Sequence, residues 1–193
     1  MGFLQSIKNI AGDFFLSGEV KKLHRDRMFV NIQDAKTIGI VFNASESSDF
    51  DLVKKYITYL KQMKKRVKAI GFYNQKSVPS LAYSKLEYDF FCLKDMTWYN
   101  APNSIYVKNF VEDTYDILLD LNLEDLFPLR YISTLSKAKF KVGKKGNRNN
   151  SIFDMMIETD KGKGLKYFLK NIDTYLFIIN KTHDQQITAD EHN

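Results

Sequence analysis

Two turns hold the chain's densest grouping of side chains able to move a proton or hold a cation. The first follows the apolar run Thr37–Asn43 (TIGIVFN) and reads Ala44, Ser45, Glu46, Ser47, Ser48, Asp49. The second follows Ile117, Leu118 and Leu119 and supplies Asp120, Asn122, Glu124 and Asp125. Brought together, carboxylates from two such turns can work as an acid and base pair, ligate a hard divalent cation or polarise a sugar hydroxyl. Asn43, Ser45, Glu46, Asp120 and Asn122 are therefore the candidate ligand-binding residues. A simpler account competes with this one. Ser47, Ser48 and Asn122 carry oxygens suited to capping helices, and Glu46, Asp49, Glu124 and Asp125 suit the positive end of a helix dipole.

Other chemistries lack their residues. A dinucleotide site needs glycines so that the backbone can approach a pyrophosphate, and NASESSDFD after the first apolar run has none. The acids of that turn also repel phosphate. The lone cysteine, Cys92, lies in the apolar run Phe90 to Leu93 and reads as a core residue; it excludes an intrachain disulfide and suits a reducing cytosol. His24, His183 and His192 stand apart from it and from one another, without metal-ligand spacing. No catalytic residue, metal or cofactor is assigned, and the chain reads as a binding protein rather than an enzyme.

The strongest charge feature is a run of six bases without an acid between them: Lys137, Lys139, Lys141, Lys144, Lys145 and Arg148. Strand alternation puts Lys137, Lys139 and Lys141 on one face, opposite Ala138, Phe140 and Val142. On a strand near a sheet edge this makes a basic ridge for the phosphates of RNA or for an acidic protein. The competing reading is an edge guarded by lysines against aggregation, and no aromatic residues that stack bases are interleaved with them.

Alternating strands and helices must position these groups. Thr37–Asn43, Val67–Tyr73, Tyr88–Leu93, the Ile117–Leu119 run, Ala138–Val142 and Ile152–Ile157 read as strands. Between them, Phe50, Val53, Tyr56, Ile57, Leu60 and Met63 mark one helix face. Pro102, Asn103 and Ser104 open a second helix. Asn122 is expected to cap a third that begins near Leu123, with Pro128 in its first turn and Gly143 ending the strand after it. A last helix runs from Leu165 to Ile179. The alternation predicts a single Rossmann-like, doubly wound, mostly parallel α/β sheet of about six strands. In the order 3-2-1-4-5-6, the turns after Asn43 and Asp120 form the crevice where a ligand sits.

The chain has 193 residues, enough for one domain with a core, and a formal charge of +6. Residues 1–29 read as an amphipathic N-terminal arm, 30–180 as the α/β domain and 181–193 as a frayed polar tail. No apolar stretch is long enough for a membrane span. Met1 to Ser6 matches a loose N-myristoylation pattern, but Phe3, Leu4, Ile7, Ile10, Phe14 and Phe15 favour an arm packed on the domain or on a protein partner. Membrane-surface contact is not expected, and nucleic acid is the alternative partner.

Two resemblances attach to these residues. YDILLDL followed by LSKAKFKVG is similar to the N-terminal half of glycosyltransferase family 9, the lipopolysaccharide heptosyltransferases. That family's glycine-rich turn and second domain are missing here, so transferase activity does not carry over. From about Val30 to Asn180, through TIGIVFNA, FDLVKKYITYLK, KAIGFY, DILLDLN, FPLRYISTLSKAKFKVG and LKYFLKNID, the chain resembles an uncharacterised bacterial domain-of-unknown-function family. The reading that results is a non-catalytic cytosolic binding or scaffolding module. The alternatives are an RNA- or ribosome-associated protein using 137–148, and a small-ligand or sugar-related enzyme acting at the crevice.

Overall fold

Runs rich in β-branched and aromatic residues form strands that need cover on both faces, and the chain supplies it with helices. A computed structural model of the protein describes residues 3–79, 88–146, 151–160 and 162–179. The strands are β1 (Thr37–Asn43), β2 (Arg66–Tyr73), β3 (Tyr88–Cys92), β4 (Ile117–Asp120), β5 (Phe140–Lys144) and β6 (Met155–Ile157). All neighbours pair in parallel, in the order β3-β2-β1-β4-β5-β6. This is the doubly wound order 3-2-1-4-5-6, which the sequence alone left open, with its switch point between β1 and β4.

The helices are α1 (Phe3–Val20), α2 (Ser47–Gln62), α3 (Ile105–Glu112), α4 (Phe127–Leu135) and α5 (Leu165–Ile178). Strand alternation divides the core between them. Ile38, Ile40, Phe42, Ile117, Leu119, Phe140 and Val142 face α2 and α5. Val41, Ile70, Phe72, Leu118 and Ala138 face α3 and α4. Tyr56 Oη on α2 also donates to Asp173 Oδ1 on α5 at 2.6 Å, tying the two helices across their shared face.

Three local expectations need correction. Asn122 caps no helix: α4 begins at Phe127, with Leu126 at its N-cap and Pro128 in its first turn. Pro128 has no N–H to offer, so the helix starts beside it, and Asn122 is left to serve the end of β4. Neither Ser47 nor Ser48 caps α2, which has Glu46 at its N-cap without a side-chain bond. Gly143 does not end β5 but lies inside it, paired with Met156. A Cβ there would meet the Phe153 ring at 2.4 Å, so the glycine is required for Phe153 to lie across the strand.

The N-terminal segment is fastened at two places. At Gly12 a Cβ would meet both the Phe127 ring and Tyr99 O at 2.6 Å, so the missing side chain is what lets α1 settle on the start of α4. Leu16 completes that contact with Ala101, Phe127 and Leu135. Farther along, the Arg25 guanidinium donates to Ala138 O at 2.6 Å, to Lys139 O at 3.1 Å and to both oxygens of Asp154. Met28 N adds a bond to Lys139 O at 3.1 Å. The starting pair Met1 and Gly2, the side chains of Phe3, Leu4 and Ile7, and the tail 181–193 lie outside the described residues.

Two substitutions test this fastening. Arg25→Ala leaves Asp154 without its main cation in a site where both side chains are mostly buried, and is expected to cost about 3–5 kcal/mol in chemical denaturation. Gly12→Val forces α1 away from backbone that cannot give, with an expected loss of about 1–3 kcal/mol and faster hydrogen exchange confined to α1.

Candidate functional site

The crevice at the switch point exists, and it gathers part of the predicted set. A cavity of about 220 Å³ is lined by Asn43, Glu46, Asp49, Asn122, Glu124 and apolar residues including Leu165. Its charged lining is three carboxylates, so it favours cations or hydroxyls over phosphate. Burial and the neighbouring Glu46 push the Asp49 carboxyl up. The turn geometry explains two of the polar residues: Asn43 Oδ1 accepts from Ser45 N at 3.0 Å, and Ser45 Oγ accepts from Asn74 N at 2.9 Å. Ser45 thereby holds β2's exit against β1's.

Asp120 does not face that cavity. It is buried, and it touches only a small recess of about 20 Å³ shared with Asn122, Glu124, Arg130 and Lys144. Its Oδ2 accepts from Ser133 Oγ at 2.7 Å, and its Oδ1 accepts from both nitrogens of Asn122. Burial pushes its carboxyl up, against the pull of those bonds. The structure thus separates Asp120 from Glu46 and uses it to lock the end of β4 to α4. Asn122 Oδ1, on the same lock, is buried without a donor.

The basic run is dispersed rather than presented. β5 is an interior strand, and the alternation that sends Phe140 and Val142 toward α5 sends Lys141 under α4. Lys141 is 2% exposed, and its Nζ donates to Ser133 O at 2.8 Å and Thr134 O at 2.9 Å, the last carbonyls of α4. A cation at the negative end of a helix dipole is favourable, but burial, together with the Arg25 and Arg27 charges, lowers its pKa to about 7. Lys139 pairs with Asp116 at 2.8 Å, and Lys144 donates to Leu123 O at 2.7 Å. Lys137 is exposed; Lys145 meets Glu158 across solvent at 3.2 Å, and Arg148 lies outside the described residues. A continuous ridge from 137 to 148 is therefore not what these lysines form, because the strand carrying them is covered on both faces.

The N-terminal helix carries an open apolar surface, which Trp98 extends. On α1, Ile10 and Phe14 are 70% and 75% exposed, and Phe15 is 43% exposed. Trp98, in the loop from β3 to α3, is 64% exposed. Ring contacts join Phe14 to Phe15 at 5.9 Å, Phe15 to Trp98 at 6.4 Å and Phe15 to Tyr99 at 4.4 Å. The arm's apolar spacing left its face to pack on the domain or on a partner; Gly12 and Leu16 make the contact with the domain, and Ile10, Phe14 and Phe15 are exposed. Among the described residues no helix is long and apolar enough to cross a membrane, and no group of three metal-ligating side chains occurs.

A family profile described as "Family of unknown function (DUF6913)" matches residues 8–179. Neither a curated protein nor a solved structure matches the chain.

Two charges, the buried Lys141 and the half-buried Asp116, make stability depend on pH with the same sign in different windows. For Lys141 the folded state holds its pKa near 7 against 10.5 ordinarily, so between those values the unfolded chain binds the extra proton and stability rises with pH. Lys141→Met is expected to remove that slope in urea titrations. Burial works to raise the Asp116 carboxyl, but bonds from Lys139, Lys36 and Thr37 outweigh it and hold it well below the usual range. Its stabilisation is present above about pH 4 and is lost as pH falls toward the folded value, so Asp116→Asn is expected to flatten the acid limb.

Proposed function

The chain belongs to this family, whose description carries no activity, and we propose that it is a non-catalytic binding module that takes a protein partner on the exposed aromatic face of its N-terminal helix. The observation that carries this reading is the contiguous surface of Phe14, Phe15 and Trp98. Large apolar side chains exposed together mark interaction sites, and Trp and Phe are enriched where partners bury them. The patch sits on a helix anchored through Gly12 and, beyond it, Arg25, so it is held in place before a partner arrives. Little ordering is then required at binding. Catalysis at the crevice has weaker support, since Asp120 is bonded away from Glu46. RNA contact along 137–148 has weaker support too, since Lys139, Lys141 and Lys144 are spent on internal partners. The lone buried cysteine supports a cytosolic setting.

The test uses the full chain and a variant combining Phe14→Ser with Trp98→Ser, both tagged and incubated in extract of the source cells. A protein retained in near-stoichiometric amount by the native chain alone is the expected result. Trp98 is the chain's only tryptophan, so adding that protein in purified form is expected to shift the emission to the blue as the indole leaves water. Retention of the same proteins by the variant would sink the proposal.

A further inference from the structure

A second cavity lies on the other side of the N-terminal segment. It measures about 930 Å³ and is walled by α1, the irregular stretch after it, α4 and the loop entering β6. Among the described residues five cationic side chains line it, Lys21, Arg25, Arg27, Arg130 and Lys141, against one carboxylate, Asp13. Two of the cations are already balanced. Arg25 is paired with Asp154, and Arg130 lies 2.9 Å from Asp13 and 3.0 Å from Asp125.

The other three are not matched in this way. Arg27 stands 3.9 Å from Asp154, a carboxylate that Arg25 and the Lys141 backbone N–H already occupy, and its side chain is 68% exposed. Lys21 is exposed at the rim. Lys141 forms the floor: it is buried, and its ammonium spends two of its three N–H groups on neutral carbonyls. Positive charge gathered in a concave, partly desolvated space attracts an anion more strongly than the same charge on an open surface.

We propose that this cavity binds a small phosphate-bearing anion, with the forked Arg27 guanidinium and Lys21 gripping it at the rim and the Lys141 ammonium at the floor. Guanidinium and ammonium groups are the usual partners of phosphate oxygens, and Ser151 adds a hydroxyl to the wall. The volume suits a small molecule. A nucleic acid strand is disfavoured, because among the described residues the lining contains no aromatic ring on which bases could stack. The charges that bear on Lys141 are Arg25 and Arg27, which depress its protonation, and Asp154, which supports it; Arg130 faces the same space from α4. An anion bound against Lys141 favours its charged form. Binding therefore takes up a proton at a pH above 7.

The experiment is isothermal titration of the full chain with inorganic pyrophosphate at about pH 8, in low-salt buffers of different ionisation enthalpy. The expected result is saturable one-site binding with net proton uptake. A double variant, Lys21→Gln with Arg27→Gln, changes only exposed side chains and is expected to bind about tenfold more weakly. Lys141→Met is expected to abolish the proton uptake. Absence of saturable heat with pyrophosphate, or an affinity unchanged in the double variant, overturns the proposal. So does tight binding of a short single-stranded RNA that pyrophosphate fails to displace.

Discussion

The Arg25–Asp154 pair is the constraint on which the N-terminal segment of the molecule depends. Arg25 comes from a stretch with no regular structure, yet its fork engages two carbonyls at the entrance to β5 and both oxygens of Asp154. Asp154 in turn accepts from Lys141 N at 2.8 Å, so one carboxylate joins the arm, β5 and the approach to β6. A planar guanidinium is suited to this because its donors diverge in a fixed geometry, which a lysine could not reproduce. With the segment fixed there, α1 must fold back along α4. That placement creates both the cationic cavity beneath the segment and the aromatic surface above it.

What the sequence made legible was whatever depends on local pattern. TIGIVFN marks β1 with its true bounds, because an uncharged run of β-branched residues between polar ends has one reasonable conformation in a covered sheet. The parallel α/β class followed from alternation and handedness; the strand order did not, and the crevice containing Asn43, Glu46 and Asn122 was expected only on the condition that the order was 3-2-1-4-5-6. What was illegible depends on which groups meet across the fold. Alternation correctly separated Lys141 from Phe140 and Val142, but whether its face is solvent or the end of α4 is decided by packing far along the chain. Asp120 looked like a crevice residue for the same reason. Only the approach of Ser133 turned its carboxylate inward. Arg25 reads in the sequence only as one of a basic cluster, Lys21, Lys22, Arg25 and Arg27, with nothing to mark Asp154 as its partner.

The two cavities differ in the sign of charge they present, and the fold explains why. At the switch point, parallel strands and the starts of helices converge, and acids there meet the positive ends of helix dipoles. Beneath the arm, the last carbonyls of α4 face inward and draw Lys141 to them. Helix polarity thus sorts acids to one end of the sheet and a buried base to the other end of α4. The buried Asp120–Ser133 bond and the Lys141 bond to Ser133 O share a residue, so the same helical turn holds a carboxylate with its hydroxyl and an ammonium with its carbonyl.

The brevity of β6 has a further consequence. This border of the sheet is a strand of only three residues, Met155–Ile157, beside the longer β5. A free strand margin is a template for another chain, and its pull grows with the number of unpaired backbone groups it offers in a row. Three residues offer few rungs. β5, which is longer, is capped by its short neighbour and so withheld from runaway strand addition. The molecule can keep a sticky aromatic helix on display while its β margin on this side resists growth into fibrils.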